Sequence, residues 1–225
     1  MKMDAPAKTK SEETKLLLLK AATTAFAYDG FHGTSLKKIA REAGVNQALI
    51  SYHFGNKEGL YLAVFETIVG QIQTQVGPRV QALQATLGIH PSSANNCNPD
   101  PDSLKQALFS IADAMLELLC GDAGHEWALL ITREQVSPTE AFEILYSGFM
   151  GKMLGLVSQV MQMLKPGLSE EEAKMFAILF MGQIIVFRVS RTAVLRHMGW
   201  QGYGEGELAL VEQQLHQSIC SWLAE

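Results

Sequence analysis

Apolar side chains recur at intervals of three and four residues along most of the chain, which is the pattern of amphipathic α-helices. Runs of alternating β-branched residues, the pattern of strands, do not compete with it. The sequence therefore predicts an all-α protein of about nine helices. The segment 88–103 contains three prolines and three asparagines without apolar periodicity, and it is predicted to be a loop.

The N-terminal part contains one medium-length and two short predicted helices. The first begins after Ser11, a suitable N-cap, and ends at Gly30. The two short helices, about 35–42 and 46–53, are separated by Gly44. A long fourth helix starts at Lys57, and Asn56 is predicted to cap it. Further helices are expected at residues 103–120, 125–136, 138–164, 169–197 and 206–223.

Charge is distributed unevenly between the two ends. Residues 1–57 carry nine Lys/Arg and five Asp/Glu, a net charge of +4, whereas residues 58–225 carry nine Lys/Arg and eighteen Asp/Glu, a net charge of −9. The two values sum to the −5 of the whole chain. A locally basic segment can still neutralise phosphates, because the Debye length is only about 8 Å at physiological salt.

Composition places the chain among soluble globular proteins. Hydrophobic residues make up 48% and charged residues 18%, which favours a folded chain over a disordered one. Three widely spaced cysteines, Cys97, Cys120 and Cys220, are typical of a reduced intracellular protein. We find no signal peptide and no apolar run of about 20 residues. The sequence predicts a cytoplasmic location.

The segment 34–54 has the spacing of a helix-turn-helix. A small residue, Ala40, allows the second helix to pack across the first, Gly44 makes the turn, and Ile50 fixes the second helix. Two short helices of an ordinary helical domain could show the same spacing. The basic charge of the segment and the residues around it favour DNA binding.

Over about 50 residues the chain resembles the DNA-binding domain of TetR-family regulators. The resemblance is carried, in the family's order and spacing, by Ala25-Phe26, Gly30-Phe31, Thr34-Ser35, Ile39-Ala40, Ala43-Gly44-Val45, Tyr52-His53-Phe54 and Asn56-Lys57-Glu58-Gly59-Leu60. It implies a DNA-binding domain at residues 1–57 and a helical effector-binding and dimerisation domain at residues 58–225.

The resemblance also implies which residues contact double-stranded DNA. Thr34 and Ser35 would bind a phosphate at a helix N-terminus, and Lys57 would bind another. Gln47, Ala48 and Ser51 would face bases in the major groove, and the helix-turn-helix spacing alone adds Asn46 as an exposed residue that can reach base edges or phosphates. Tyr52 and His53 would hold the flanking backbone.

The C-terminal part is similar to the CecR-type subgroup in its Arg-Glu-Gln-Val-Ser-Pro-Thr run, residues 133–139. Residues 183–189 and the pair Gly199-Trp200 also fit. Arg133 and Glu134, late in a predicted helix, have three open interpretations: the edge of an effector pocket, a domain interface, or plain surface, where an ion pair contributes little.

The C-terminal domain is rich in methionine and phenylalanine, which predicts an apolar pocket for a hydrophobic small-molecule effector, although such residues also fill cores. The candidate ligand-binding residues are Met115, Trp127, Arg133, Phe149, Met153 and Phe180.

A TetR-like protein pairs its last two helices with those of a second copy, which predicts a homodimer and a palindromic operator. The candidate interface residues are Phe176, Phe180, Gln183, Ile184, Phe187, Leu208, Val211, Leu215, Ile219 and Trp222.

Other functions are less well supported. The glycines 202, 204 and 206 imitate a phosphate-binding pattern, but no predicted strand precedes them. The histidines show no metal-ligand spacing, so we expect no enzyme activity, no metal and no cofactor. The alternative to a ligand-responsive repressor is a dimeric ligand-binding or adaptor protein whose N-terminal segment contacts a protein.

Overall fold

The computed structural model describes residues 9–88, 99–121 and 124–224, and these are helical with short connections and no strand. The elements are α1 (Lys10–Gly33), α2 (Leu36–Glu42), α3 (Ala48–Phe54), α4 (Lys57–Thr86), α5 (Pro101–Cys120), α6 (Gly124–Val136), α7 (Glu140–Leu145), a π-helical segment (Tyr146–Met150), α8 (Gly151–Leu164), α9 (Glu170–Val189), α10 (Arg191–Met198) and α11 (Glu205–Ala224).

The predicted all-α fold is confirmed. Helices α7 and α8 form one continuous helix through the π segment, so the described residues contain ten separate helices, one more than expected. Most of the predicted loop, residues 89–98, lies outside the described residues.

Two compact units make up the chain. The first, which we call the head, comprises the described residues up to Ile68 together with Leu129–Leu145. The second, the body, comprises the described residues of Val69–Ala128 and Tyr146–Glu225. Helices α4 and α6 each continue from one unit into the other. The sequence pattern had not indicated that residues 129–145 join the head.

Helix α1 starts earlier than predicted, with Thr9 as its N-cap in place of Ser11. The Glu12 backbone N–H donates to the Thr9 hydroxyl oxygen at 3.3 Å, and the Thr9 backbone N–H donates to the Glu12 carboxylate at 2.8 Å. This reciprocal pair is a capping box, which satisfies two backbone donors at once. Gly30, with φ of 74°, interrupts the helix where its end was predicted.

The predicted helix over 169–197 is broken at Ser190, where ψ is 23° and the chain bends by 78°. In a continuous helix the Phe187 carbonyl would accept from the backbone N–H of residue 191. Here the Tyr203 hydroxyl donates to that carbonyl at 2.6 Å. A contact from 16 residues away therefore accompanies the break between α9 and α10, and no local pattern could reveal it.

Helices α5, α8, α9 and α11 enclose the core of the body. Their buried side chains include Leu108, Ile111, Met115, Val157, Val160, Ala177, Phe180, Ile184, Val211, Leu215 and Ile219. Among the described residues no single helix is long and apolar enough to cross a membrane, and only the bent pair α9 and α10 passes that test jointly.

Candidate nucleic-acid interface

Helices α2 and α3 of the head meet at a tight turn built as the sequence predicted. Ala40 is 4% exposed and Ile50 is fully buried, so both face the core of the head. Gly44 has φ of 67°, a conformation that costs a side-chain-bearing residue energy. The Val45 backbone N–H donates to the Ala40 carbonyl at 3.0 Å and closes the turn.

One face of α3 is directed to solvent. Gln47, Ala48, Ser51 and Tyr52 are exposed, and Tyr52 is 77% exposed, unusually high for a large aromatic residue. Asn46 is also exposed, and its side-chain oxygen accepts from the Ala48 backbone N–H at 2.9 Å. Asn46 therefore holds the start of α3 as well as lying beside the exposed face.

Thr34 and Ser35, predicted together as phosphate contacts, differ in structure. Thr34 is 3% exposed. Its hydroxyl donates to the Gly30 carbonyl at 2.7 Å and to the Ala25 carbonyl at 3.1 Å. This hydroxyl secures the end of α1, so the phosphate contact at Thr34 stays a prediction for its backbone N–H. Ser35 is exposed and caps α2, accepting from the Lys38 backbone N–H at 3.2 Å.

His53 and Lys57 are both half-buried, at the end of α3 and the start of α4. The His53 ring contacts the Tyr52 ring edge-on, with centroids 5.0 Å apart. The Lys57 ammonium lies 4.7 Å from the centroid of the Phe31 ring. This cation–π contact limits the freedom of the lysine and fixes where its charge is presented. The predicted cap of α4 is confirmed, since the Gly59 backbone N–H donates to the Asn56 side-chain oxygen at 2.8 Å.

The lysines and arginine of α2 are not equivalent. Lys38 is ion-paired with Asp29 and lies 4.0 Å from Glu42, and its hydrogen bond to Asp29 raises its pKa. Lys37 and Arg41 are exposed, and no carboxylate of the described residues forms an ion pair with either. These two side chains, which sequence reasoning did not single out, are further candidates for phosphate contacts.

Arg133 belongs to the head, whereas the other predicted ligand-binding residues belong to the body. Its guanidinium donates to the Phe26 carbonyl at 2.7 Å and to the Ala27 carbonyl at 3.4 Å, near the kink of α1 at Gly30. The guanidinium is therefore bonded to backbone within the head, a contact that none of the three open interpretations described. Arg133 ties the end of α6 to the last turn of α1 before the kink.

Glu134, for which the sequence left the same three interpretations open, is a buried carboxylate. It is 1% exposed, and one oxygen accepts from the Tyr61 hydroxyl at 2.8 Å. The other oxygen accepts from the Thr139 backbone N–H at 2.8 Å and its hydroxyl at 2.9 Å. Burial and this bond raise the pKa of Tyr61, which therefore stays a donor. Together these contacts join α4, α6 and the start of α7.

The other candidate ligand-binding residues lie in the body. Met115, Met153 and Phe180 are at most 3% exposed, and Trp127 and Phe149 are half-buried. Three surface cavities of the body are lined by other side chains, among them Phe109, His216, Arg191 and Trp200. In this conformation the three buried residues therefore serve as packing in the core.

The residues predicted for a dimer interface separate into two groups. Phe180, Ile184, Val211, Leu215 and Ile219 are 1–6% exposed and are buried by the chain itself, so they are not available to a partner. Half-buried positions make up the second group: Phe176, Gln183, Phe187, Leu208 and Trp222.

The opposite face of α9 carries an apolar stripe that the prediction missed. We define the α9 stripe as Met175, Ile178, Leu179, Val186 and Val189, which are 42–58% exposed. Ile178 and Leu179 lie three and four residues after Met175, Val186 lies seven after Leu179, and Val189 lies three after Val186, so all five fall on one face of the helix, as in helices that pack against another helix.

Two family models match the chain. One, described as "Bacterial regulatory proteins, tetR family", matches residues 18–64, and the other, described as "HTH-type transcriptional dual regulator CecR, C-terminal domain", matches residues 104–225. A curated relative, the HTH-type transcriptional dual regulator CecR of Shigella flexneri, is 28% identical over 214 residues, covering 94% of this chain and 92% of the relative.

Solved structures share the fold over almost the whole chain. AibR in complex with isovaleryl coenzyme A and operator DNA has a TM-score of 0.62 at 15% identity, covering 93% of this chain and 97% of AibR. The regulator FadR of Bacillus subtilis in complex with stearoyl-CoA has a TM-score of 0.59 at 19% identity, covering 92% of this chain and 97% of FadR.

Proposed function

The chain belongs to the TetR family of transcriptional regulators, with a C-terminal domain of the CecR type, and from this we propose that it is a homodimeric repressor that leaves a palindromic operator when a hydrophobic small molecule binds. The proposal rests chiefly on the exposed face of α3, in which Gln47, Ser51 and Tyr52 point to solvent beyond the turn at Gly44. A recognition helix needs such a face to enter the major groove.

Each candidate DNA-binding residue is assigned to the bases or to the phosphate backbone. Gln47, Ala48 and Ser51 read bases, with Asn46 at their edge. Tyr52 and His53 hold the backbone beside the site, and Ser35 and Lys57 bind phosphates. Thr34 contributes only through its backbone, because its hydroxyl is used within the head.

We propose that the α9 stripe is the centre of the dimer interface. The stripe exposes five large apolar residues on one helix, and such a contiguous patch marks an interaction site. Phe176, Gln183, Phe187, Leu208 and Trp222 would form its border. A two-fold axis through this interface presents two heads to two half-sites, which is the reason for expecting a palindrome.

The proposed effector response uses α6. This helix begins in the body at Gly124 and ends in the head, where Arg133 and Glu134 are bonded to α1 and α4. A ligand that binds the effector domain, residues 58–225, and shifts α6 would alter the position of α3 through these bonds. Neighbours of the same fold that bind acyl-CoA molecules support an effector with an apolar portion.

The decisive experiment is selection of bound fragments from a random DNA pool by the purified full chain, followed by affinity measurements at several salt concentrations. We expect a two-fold symmetric site and a linear loss of log affinity with log salt, about 0.9 per phosphate contacted. Lys57→Gln should reduce that slope by about 0.9, whereas Lys152→Gln, an exposed lysine of the body, should leave it unchanged.

Tyr52→Ala is expected to weaken operator binding while the protein stays folded and dimeric. Tyr28→Ala removes another exposed tyrosine of the head, 59% exposed on α1, and serves as the matched control. Failure to select any DNA, or binding without salt dependence, would favour a protein-binding adaptor over a regulator.

A further inference from the structure

A cavity of about 470 Å³ opens in the body between the end of α5, the start of α10 and the loop that joins α10 to α11. Its walls include Cys120, Arg191, Trp200, Tyr203 and Glu207. The volume falls within the range of about 300–1,000 Å³ that is typical of small-molecule sites. We call it the arginine cavity, and it shares none of the candidate effector-binding residues.

Arg191, the cationic side chain of this cavity, packs against an aromatic ring and not against a carboxylate. The Arg191 guanidinium lies 5.3 Å from the centroid of the Tyr203 ring, a cation–π distance. Among the described residues no carboxylate forms an ion pair with it. Glu207, the acid in the same wall, accepts from the Gly204 backbone N–H at 3.0 Å and so caps α11.

The Cys120 thiol in the same wall does not neutralise Arg191. Burial raises the pKa of this thiol to about 11, although the nearby guanidinium groups of Arg188 and Arg191 lower it. At neutral pH the thiol is therefore uncharged, and the charge of Arg191 in the cavity wall has no thiolate partner. An anion supplied from outside would be stabilised here.

The remaining walls are aromatic and fixed by hydrogen bonds. The Tyr203 hydroxyl is bonded to the Phe187 carbonyl, and the Trp200 ring meets the Tyr203 ring edge-on with centroids 6.3 Å apart. The Trp200 backbone N–H donates to the Leu195 carbonyl at 2.9 Å. A planar apolar group can pack against such a wall without the wall having to reorganise.

We propose that the arginine cavity binds a small aromatic carboxylate. The carboxylate pairs with the Arg191 guanidinium, whose planar fork matches two oxygens, and the aromatic ring packs against Trp200. This also gives a role to the glycine-rich loop 199–204, since Gly202 has no side chain to fill the space beside Arg191. A Cβ at Gly202 would lie 3.9 Å from the Arg191 Nη2 atom.

Calorimetric titration of the full chain with benzoate, phenylacetate and indole-3-acetate tests the proposal, with benzyl alcohol as a neutral probe. At least one carboxylate should bind, at least tenfold more tightly than benzyl alcohol. Arg191→Gln should weaken it at least tenfold, whereas Arg196→Gln, an exposed arginine of the same helix, should leave it unchanged. Circular dichroism confirms that both variants are folded.

Alkylation of cysteines supplies a second readout. The bound carboxylate should slow the modification of Cys120, which lines the cavity, and not that of the exposed Cys220. Peptide mass spectrometry distinguishes the two. The proposal is overturned if none of the three carboxylates binds, if Arg191→Gln binds them as the natural protein does, or if Cys120 and Cys220 are protected equally. Each of these results leaves the DNA-binding proposal intact, since no residue of the head is involved.

Discussion

The head buries charged and polar groups that are fully engaged, whereas the body places five exposed large apolar side chains along one helix, α9. Glu134 is 1% exposed and accepts three hydrogen bonds, and Thr34 is buried with its hydroxyl on two carbonyls. On α9, by contrast, Ile178 and Leu179 are more than half exposed.

The difference indicates which interactions stabilise the structure of each unit. A buried carboxylate is tolerated only when its bonds are satisfied, so the head's geometry depends on a few specific contacts. An exposed apolar stripe gains free energy only when a second surface covers it. We therefore expect substitutions in the head to act within one chain, and substitutions in the α9 stripe to act on assembly.

The largest expected effect is on assembly. Leu179→Glu places a carboxylate on each of the two symmetric surfaces of the proposed interface. Breaking such an interface with unpaired charges costs about 4 kcal/mol, which corresponds to about a thousandfold weaker dimer. Light scattering after size-exclusion chromatography should show monomers at micromolar concentration.

The matched control for Leu179→Glu is Val136→Glu, which alters an apolar residue of the head that is 78% exposed. This variant should remain dimeric. A Leu179→Glu protein that stays dimeric would contradict the assignment of the α9 stripe to the dimer interface. Exposed apolar residues of the body would then have no demonstrated role in assembly.

Within the head, Glu134→Ala should have the largest effect. It leaves the Tyr61 hydroxyl and the Thr139 backbone N–H without their buried acceptor, at an expected loss of about 3 kcal/mol or more in the free energy of unfolding. Urea unfolding measures it. Glu170→Ala, which removes an exposed ion pair with Lys174, should not change stability measurably. Equal effects of the two substitutions would mean that burial does not set the strength of these contacts.

Gly59→Ala tests the close approach of α3 to α4. A Cβ at Gly59 would lie 2.1 Å from the Phe54 carbonyl oxygen, so the turn between the helices has to shift. We expect a loss of about 1–3 kcal/mol, as in other overpacked sites, and at least tenfold weaker DNA binding. Gly70→Ala, on the same helix with no atom within 4 Å, should be neutral or stabilising by up to about 1 kcal/mol. A Gly59→Ala protein with unchanged operator affinity would show that this turn does not position α3.

The helix-turn-helix could be predicted because its determinants are local. Ala40, Gly44 and Ile50 lie within eleven residues. Ala40 and Ile50 are buried, and Gly44 has the positive φ of a tight turn, as the spacing predicts. The Glu134 contacts could not be predicted in the same way, since Tyr61 is 73 residues away in sequence. A single glutamate in a helix gives no signal of the partner that buries it.

The proposed dimer surface could not be predicted from the sequence for a different reason. Apolar residues cover nearly all sides of α9, and sequence periodicity does not distinguish a face buried by the chain itself from one left for a partner. Phe180 and Ile184 turned out to be core, while Ile178 and Leu179 are exposed. Only the packing of the other helices of the body determines which face remains open.

The smallest expected effect separates the remaining interpretations of Arg133. Lysine at this position keeps the charge but cannot bond the Phe26 and Ala27 carbonyls with one planar fork. Arg133→Lys should lower the free energy of unfolding by about 1 kcal/mol, the contribution of one such bond, whereas Arg196→Lys, on the surface of α10, should leave it unchanged. If Arg133→Lys unfolds as the natural protein does but binds effector more weakly, Arg133 acts as a pocket residue and its bonds to α1 do not contribute measurably to stability. A loss of stability with unchanged effector affinity places Arg133 among the contacts that order the head.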